Sequence, residues 1–385
     1  MLKAATAAFK GEYSREIGLQ LGNLLVSKLG EIPAACWLFC STQKRVEDLL
    51  RGVIEACECD NLIGCTTDGE LSGDGFSTGS AVLAGIATDE IEFHRARASG
   101  LARGGETAGR KLAEKFPPQV AYLQVFSDGL TGNGSAVIRG IQSVLGQEIC
   151  IHGGTAGDDG HFERTLQFDG TKILTDSIVG MAFTGEFKFG TGVQSGWSPV
   201  GIAKRVTRAW ENVVYELNGQ PALEVYERFL GKHATGLPAV GVEYPLGLVP
   251  GQADFEGDDF FLLRATMSVN REQGSIAFAG EIPEGSLVRL TCGDYASILA
   301  AAESAAHQAV KDLGDSPIGI VFVYSCMARK IVLGRRTGEE LERIKAVVGN
   351  TVPIVGFYTY GEYCPVKGRQ NCFHNETVTI SVIGA

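Results

Sequence analysis

Three segments of this chain open on a proline, run through a short apolar stretch and then change to a helical pattern. They are PAACWLFCS from Pro33, PQVAYLQVFSDG from Pro118 and PIGIVFVYSC from Pro317. Each reads as a buried strand: short, rich in branched or aromatic residues, and bounded by polar or turn residues. The first is followed by Val46, Leu49, Leu50, Val53, Ile54 and Cys57, which share one helical face. Val137, Ile138, Ile141, Val144 and Leu145 follow the second; Leu341, Ile344, Val347 and Val348 follow the third. A second strand then ends in glycine, as NLIGCTTDGE, EICIHGGTAGDD and VPIVGFYTYGEY, and a further apolar strand closes each copy, as SAVLAGIA, DSIVGMAF and ETVTISVIGA. A strand-helix-strand unit requires parallel neighbours with helices on the sheet face. The extra strand makes each sheet mixed.

Between the second and third copies the pattern changes. RVTRAWENVVYELN alternates like a hairpin, and Pro221 opens a helix through Leu223, Tyr226 and Leu230. From Tyr244 to Leu290 the chain reads as a strand meander, including FFLLRATMSV, IAFAGEI and LVRLT. Further helices are expected from about Tyr295 to Leu313 and around Ile17 to Leu29. The expected class is therefore α/β: two modules with mixed β-sheets flanked by helices, built from repeated strand-helix-strand-strand units, plus an antiparallel meander. The module boundary is placed at 220, giving 1–220 and 221–385.

Composition narrows the function. With 45 acidic against 34 basic residues the formal charge is −11, which excludes nucleic acid or an anionic membrane as the main partner. No apolar run approaches the roughly 20 residues of a membrane span, and MLKAATAAFKGEYS lacks a signal-peptide pattern, so a cytoplasmic location is expected. The ten cysteines are then thiols, most of them in apolar runs.

The glycine-acid turns fall at the carboxyl ends of parallel strands, where ligands bind in open α/β sheets. Their acids are Glu70, Asp158 (followed by Asp159) and Glu362. No phosphate-cradling motif is present, and acids repel phosphate; a cation such as an ammonium group fits better. Arg329, just after VFVYSCM, could take a carboxylate through two hydrogen bonds, with Tyr358 and Tyr360 flanking the ligand. Together these residues suit an amino-acid-like zwitterion. For each, a structural role as ion-pair or turn partner is the plainer alternative.

His152 replaces an apolar residue when the copies are aligned on Gly64, Gly153 and Gly356, standing opposite Ile63 and Val355. It is the leading candidate for a haem ligand and His374, in CFHNETVTI, the second; a core histidine is the alternative. Catalysis has thinner support. Ser127 and Asp128 are adjacent and point opposite ways on a strand, and Cys326 reads more readily as a core thiol than as a nucleophile.

GCTTDGE, FSDGL, GGTAGDD, GWSPVG, GSIAFAGEIPEG, SCMARK, GFYTYGE and FHNET, in this order, resemble the FIST sensory family from about residue 33 to the C-terminus. The resemblance implies a FIST N-terminal module followed by a FIST C-terminal module, acting in signal transduction. It implies a small-molecule ligand, an amino acid or, as in nitric-oxide-sensing members, haem. It further implies a stand-alone sensor acting on a separate histidine kinase or cyclic-di-GMP enzyme, with a homodimer among the expected states. An enzyme, a hydrolase or transferase using a thiol or carboxylate, is the alternative class.

Overall fold

The structure is a computed structural model that describes residues 2–249, 262–366 and 370–384. The three copies are real structural units. Unit one contains the strands Ala35–Cys40 and Leu62–Thr66, the helix Val46–Cys57 between them, and the returning strand Ser80–Ala87. Unit two repeats this as Tyr122–Ser127, Gly134–Leu145, Cys150–Thr155 and Ser177–Gly185. Unit three repeats it as Ile320–Cys326, Thr337–Val348, Ile354–Thr359 and Val378–Gly384. In every unit the first two strands pair in parallel and the returning strand lies antiparallel along the other side of the first.

The glycines used to align the copies occupy one structural position. Gly64, Gly153 and Gly356 sit opposite Leu38, Val125 and Val323 in the parallel pairings. A Cβ at each would lie 1.8, 2.0 and 1.8 Å from the carbonyl oxygen of that neighbour. No side chain fits there, so all three copies keep glycine.

Each unit also throws out a two-stranded arm between its second and returning strands. The arms are Glu70–Ser72 with Gly75–Ser77, Gln167–Asp169 with Lys172–Leu174, and Glu362–Pro365 with Asn371–His374. None joins the sheet of its own unit. The first pairs with Ile354–Thr359 of unit three, the second with Leu62–Thr66 of unit one, and the third with Cys150–Thr155 of unit two. The exchange closes into a ring and covers one edge of every sheet.

Strand alternation sorts the side chains into two layers. Trp37 and Phe39, Tyr122 and Phe126, and Phe322, Tyr324 and Phe357 face inward and share one core. Ring contacts join the sheets directly, with Trp37–Phe322 and Phe39–Phe126 centroids 5.1 Å apart and Phe126–Tyr324 at 5.6 Å. The opposite faces, including Leu38, Val125 and Val323, pack under helices in three separate outer cores.

The meander forms an eight-stranded antiparallel sheet from Trp197–Trp210 to Leu287–Gly293, with its own core over the helix Ala222–Leu230. The start of the expected strand FFLLRATMSV, Phe260 and Phe261, lies outside the described residues. The sheets do not divide at 220. Lys188–Gln194 pairs with Val378–Gly384, and two of the arms carry the chain across the same line.

Candidate functional site

Register places Glu70, Gln167 and Glu362 at one equivalent position, because Leu71, Phe168 and Tyr363 pair with Gly356, Gly64 and Gly153. The true counterpart of Glu70 and Glu362 in unit two is therefore Gln167, and Asp158 belongs to the preceding loop. A further equivalent position lies at the entry to each returning strand, directly before it in units one and two and two residues before it in unit three. Gly79, Asp176 and Glu376 all adopt left-handed backbone, with φ of 66°, 48° and 62°.

The expected site residues do not converge. Glu70 is buried and accepts from the hydroxyls of Ser41, at 2.9 Å, Thr67 and Ser80. Burial pushes its carboxyl up to about 7 against those donors. Asp158 organises a loop, accepting from the N–H groups of Phe162, Glu163 and Arg164 at 2.7–2.9 Å and from the Tyr360 hydroxyl at 2.5 Å. Partial burial works to raise its carboxyl, but these donors hold it below the usual range. The Tyr360 ring stacks on Phe162 with centroids 4.7 Å apart.

Arg329 and Tyr358 correct the sequence expectation most clearly. Arg329 is fully buried; its Nε donates to Glu340 Oε1 at 2.7 Å, and Nη2 lies 2.5 Å from the same oxygen. Its remaining donors reach the carbonyls of Ser195 and Ile298. The Tyr358 hydroxyl donates to Glu340 Oε2 at 2.6 Å, as does Ser325 at 2.8 Å. A fully buried guanidinium with four of its five N–H groups on a carboxylate and two carbonyls, and outside the cleft lining, is not positioned to receive a ligand carboxylate. In the sequence Glu340 looked like one charge in the run EELER, so its role was not visible.

The histidines are likewise enclosed. His152 lies in the central aromatic core, with Nδ1 3.3 Å from the Tyr122 hydroxyl and its ring 4.8 Å from that of Tyr324. Burial pushes it down to about 3, and Nε2 has no partner among the described residues. His374 Nε2 lies 2.9 Å from the Cys364 carbonyl, and burial pushes this imidazole down to about 4. A haem ligand needs an open face beside a cavity of haem size. Packed side chains surround both rings, so the residues present do not fit the group.

The structure instead offers a cleft of about 870 Å³ between unit two, the strand ends of unit three and the meander sheet. Its walls include Leu130, Val137, Ala265, Met267, Phe278, Ile331, Tyr360, Tyr363 and Phe373. Of the expected ligand residues only Tyr360 lines it; Ser127, Asp128 and Cys326, weighed as catalytic candidates, line it as well. Asp128 is the one carboxylate among the described lining residues, which include no Lys, Arg or His. It is spent on the N–H groups of Leu130, Thr131 and Asp176, at 2.9, 3.2 and 2.9 Å. Ser127 shares a 2.9 Å hydrogen bond with the Tyr363 hydroxyl, so no Ser–Asp pair forms.

Three polar side chains lining the cleft, Asn375, Thr155 and Thr266, are left over among the described residues. Asn375 is 1% exposed, and neither its amide nitrogen nor its amide oxygen has a hydrogen-bond partner among the described residues. The Thr155 hydroxyl is in the same position. Beside them the Cys326 thiol is pushed well above its ordinary range by burial, with the neighbouring Glu362 and Glu376 carboxyls adding to the effect. Burial also pushes Glu362 up to about 8, although its Oε2 accepts from the Thr377 hydroxyl at 2.7 Å. Glu376 is fully buried, without a hydrogen-bond partner on either oxygen among the described residues, and burial raises it strongly. Sequence reasoning quoted FHNET without singling out Asn375 or Glu376. Its one usable signal was three polar residues in a row leading into an apolar strand.

The fold is a mixed α/β arrangement of three repeated units with an antiparallel sheet, and two family domains match it in succession. The FIST N domain matches residues 34–220 and the FIST C domain residues 222–365, so the chain belongs to the FIST family. FIST domains are small-ligand sensor domains of signal transduction. The chain is 25% identical over 344 residues to the uncharacterized protein MJ1623 of Methanocaldococcus jannaschii. That match covers 82% of this chain and 64% of the relative, so the chain spans less than two thirds of that protein's length. Cyanuric acid hydrolase from A. caulinodans aligns over 100% of this chain and 99% of its own, at 10% identity and a TM-score of 0.37. No helix among the described residues is long and apolar enough to cross a membrane.

Proposed function

We propose that this chain is a sensor whose ligand occupies the cleft above Asn375, and that the ligand is a small, largely apolar molecule ending in an amine or amide. The observation that carries this reading is the unpartnered Asn375 amide in the floor of the cleft. A buried amide left without partners costs about 1–3 kcal/mol, which a ligand offering both a donor and an acceptor recovers. A described lining free of Lys, Arg and His gives a carboxylate no countercharge, while the unpartnered Asn375 oxygen can accept from a ligand N–H. The ammonium half of the amino-acid expectation is thus retained, and the carboxylate half loses its arginine.

The cleft is walled by both modules, taken as 1–220 and 221–385, so a ligand that bridges them favours one relative arrangement. A separate histidine kinase or cyclic-di-GMP enzyme would read that shift, provided the ligand binds the two arrangements with different affinity. A thermal-shift panel of primary amines, primary amides, matched carboxylates and haemin tests the ligand class. Amines or amides should stabilise the protein by about 2.7 kcal/mol at 100 times their Kd, and Asn375→Ala should remove the effect. Carboxylates that stabilise equally well, or stoichiometric haem uptake with a Soret band, would overturn the reading.

A further inference from the structure

The third arm carries a feature independent of the cleft's ligand. Its two strands place Cys364 directly opposite Cys372 in an antiparallel pairing. The Val366 N–H donates to the Gln370 carbonyl at 2.9 Å, so the pair two residues further along, Cys364 and Cys372, is of the hydrogen-bonded kind. Directly opposite residues of that kind have Cα atoms about 5.5 Å apart, within the roughly 4.4–6.8 Å span of disulfides. Both side chains lie on one face of the arm, where Cys372 packs against the small cluster of Val193, Cys364 and Val366. The neighbouring pair, Tyr363 and Phe373, points to the other face, into the core of unit two. Both cysteines are free thiols; Cys364 is buried and Cys372 partly exposed.

We infer that Cys364 and Cys372 form a reversible, peroxide-sensitive thiol pair. Cys372, the exposed member, meets the oxidant. Its sulfur, as the thiolate, attacks one oxygen of hydrogen peroxide, the O–O bond breaks, and the departing hydroxide takes up the proton shed by the thiol, leaving a sulfenic acid and water. The Cys364 sulfur then attacks the Cys372 sulfur. The S–S bond forms, the S–O bond breaks, and the hydroxyl leaves with the Cys364 proton as a second water. In total two thiols are oxidised by two electrons and one peroxide is reduced to two waters. The bond closes a short loop across adjacent strands, a geometry suited to a labile bridge rather than a permanent one. Burial pushes the Cys372 thiol up to about 11 against the opposing field of Arg264, so little thiolate exists at neutral pH and the first step is slow there.

The chain lends itself to a direct test, because Lys367 and Arg369 stand between the two cysteines. Reduced full-length protein is treated with hydrogen peroxide, quenched in acid with an alkylating reagent, and digested with trypsin. The expected result is that peptides 346–367 and 370–385, each with a single cysteine, are recovered joined and lighter by two hydrogens. They should separate with dithiothreitol, and the rate of joining should rise about tenfold per pH unit between pH 7 and 9. Cys372→Ser should abolish the joined species; with Cys364→Ser, the sulfenic acid on Cys372 should accumulate instead. The inference fails if Cys364 stays alkylatable while Cys372 is oxidised, if Cys372 joins a different cysteine, or if Cys372 remains reduced while Cys292 reacts.

Discussion

Glu70 and Glu362 hold the same place in two copies of one unit, yet their surroundings diverge. Glu70 is met by three hydroxyls, and the left-handed position that precedes its returning strand is Gly79, which takes that backbone freely. Around Glu362 the equivalent hydroxyl is Thr377, the strand-end residue is Cys326 rather than Ser41, and the left-handed position is Glu376. One corner is closed and satisfied. The other carries a strained glutamate, an orphan amide and a protonated thiol beside a cleft. A repeat that departs from its satisfied sister in several residues at once is where function displaces stability.

The largest expected effect lies in the sealed network next to the open corner. Glu340→Ala leaves Arg329 buried without its carboxylate, and denaturant unfolding should show a loss of about 3–5 kcal/mol. A loss under 1 kcal/mol would mean that Arg329 can turn elsewhere, which would reopen it as a ligand residue.

Next, the two corners should respond with opposite sign. Glu70→Ala strands three hydroxyl donors and should cost about 2–3 kcal/mol. Glu376→Gly removes a buried unpartnered acid from left-handed backbone and should raise stability by about 1 kcal/mol. If both variants destabilise alike, the two corners are equivalent and the comparison fails.

The pH profile gives a third, smaller effect. Glu70 and Glu362 are raised in the fold, to about 7 and about 8, so they bind more protons folded than unfolded. Their contribution is complete below the unfolded value of about 4.5 and is lost as pH rises through 7 and 8. His152 and His374 are lowered to about 3 and about 4, so they bind fewer protons folded. Their contribution is complete above the unfolded value of about 6.5 and is lost as pH falls toward 3. Between about 4.5 and 6.5 the two trends oppose each other, and Tm should decline from pH 6.5 to 8.5. In the Glu362→Gln variant that decline should flatten; an unchanged slope would assign it to other groups. The smallest effect concerns the thiol: Cys326 should label with iodoacetamide no faster than a free cysteine at pH 7, whereas hyper-reactivity would favour the enzyme alternative.

The three units were legible because their constraint is local and repeated. Alternation in CWLF, YLQVF and VFVY fixes inner and outer faces, and glycine at 64, 153 and 356 marks a carbonyl contact that no side chain tolerates. The exchanged arms were not legible. Three-residue strands such as Glu70–Ser72 carry too little pattern to show that their partner lies in another unit. The proposed cleft lies at the same end of the sheets as the expected site but shares only Tyr360 with the expected ligand residues. Arg329 and Tyr358 looked available because nothing local announces Glu340, 11 residues beyond Arg329 and hydrogen-bonded to it at 2.7 Å. Asn375 was overlooked because an orphan amide is visible only once every neighbour is placed.

The most direct test of the central claim is the position of an amine or amide from the thermal-shift panel in a co-crystal with this protein. The account predicts its polar end within hydrogen-bond distance of the Asn375 amide and its apolar part against Tyr360 and Phe278. A ligand seated instead on Arg329, or a haem ligated by His152, would contradict it.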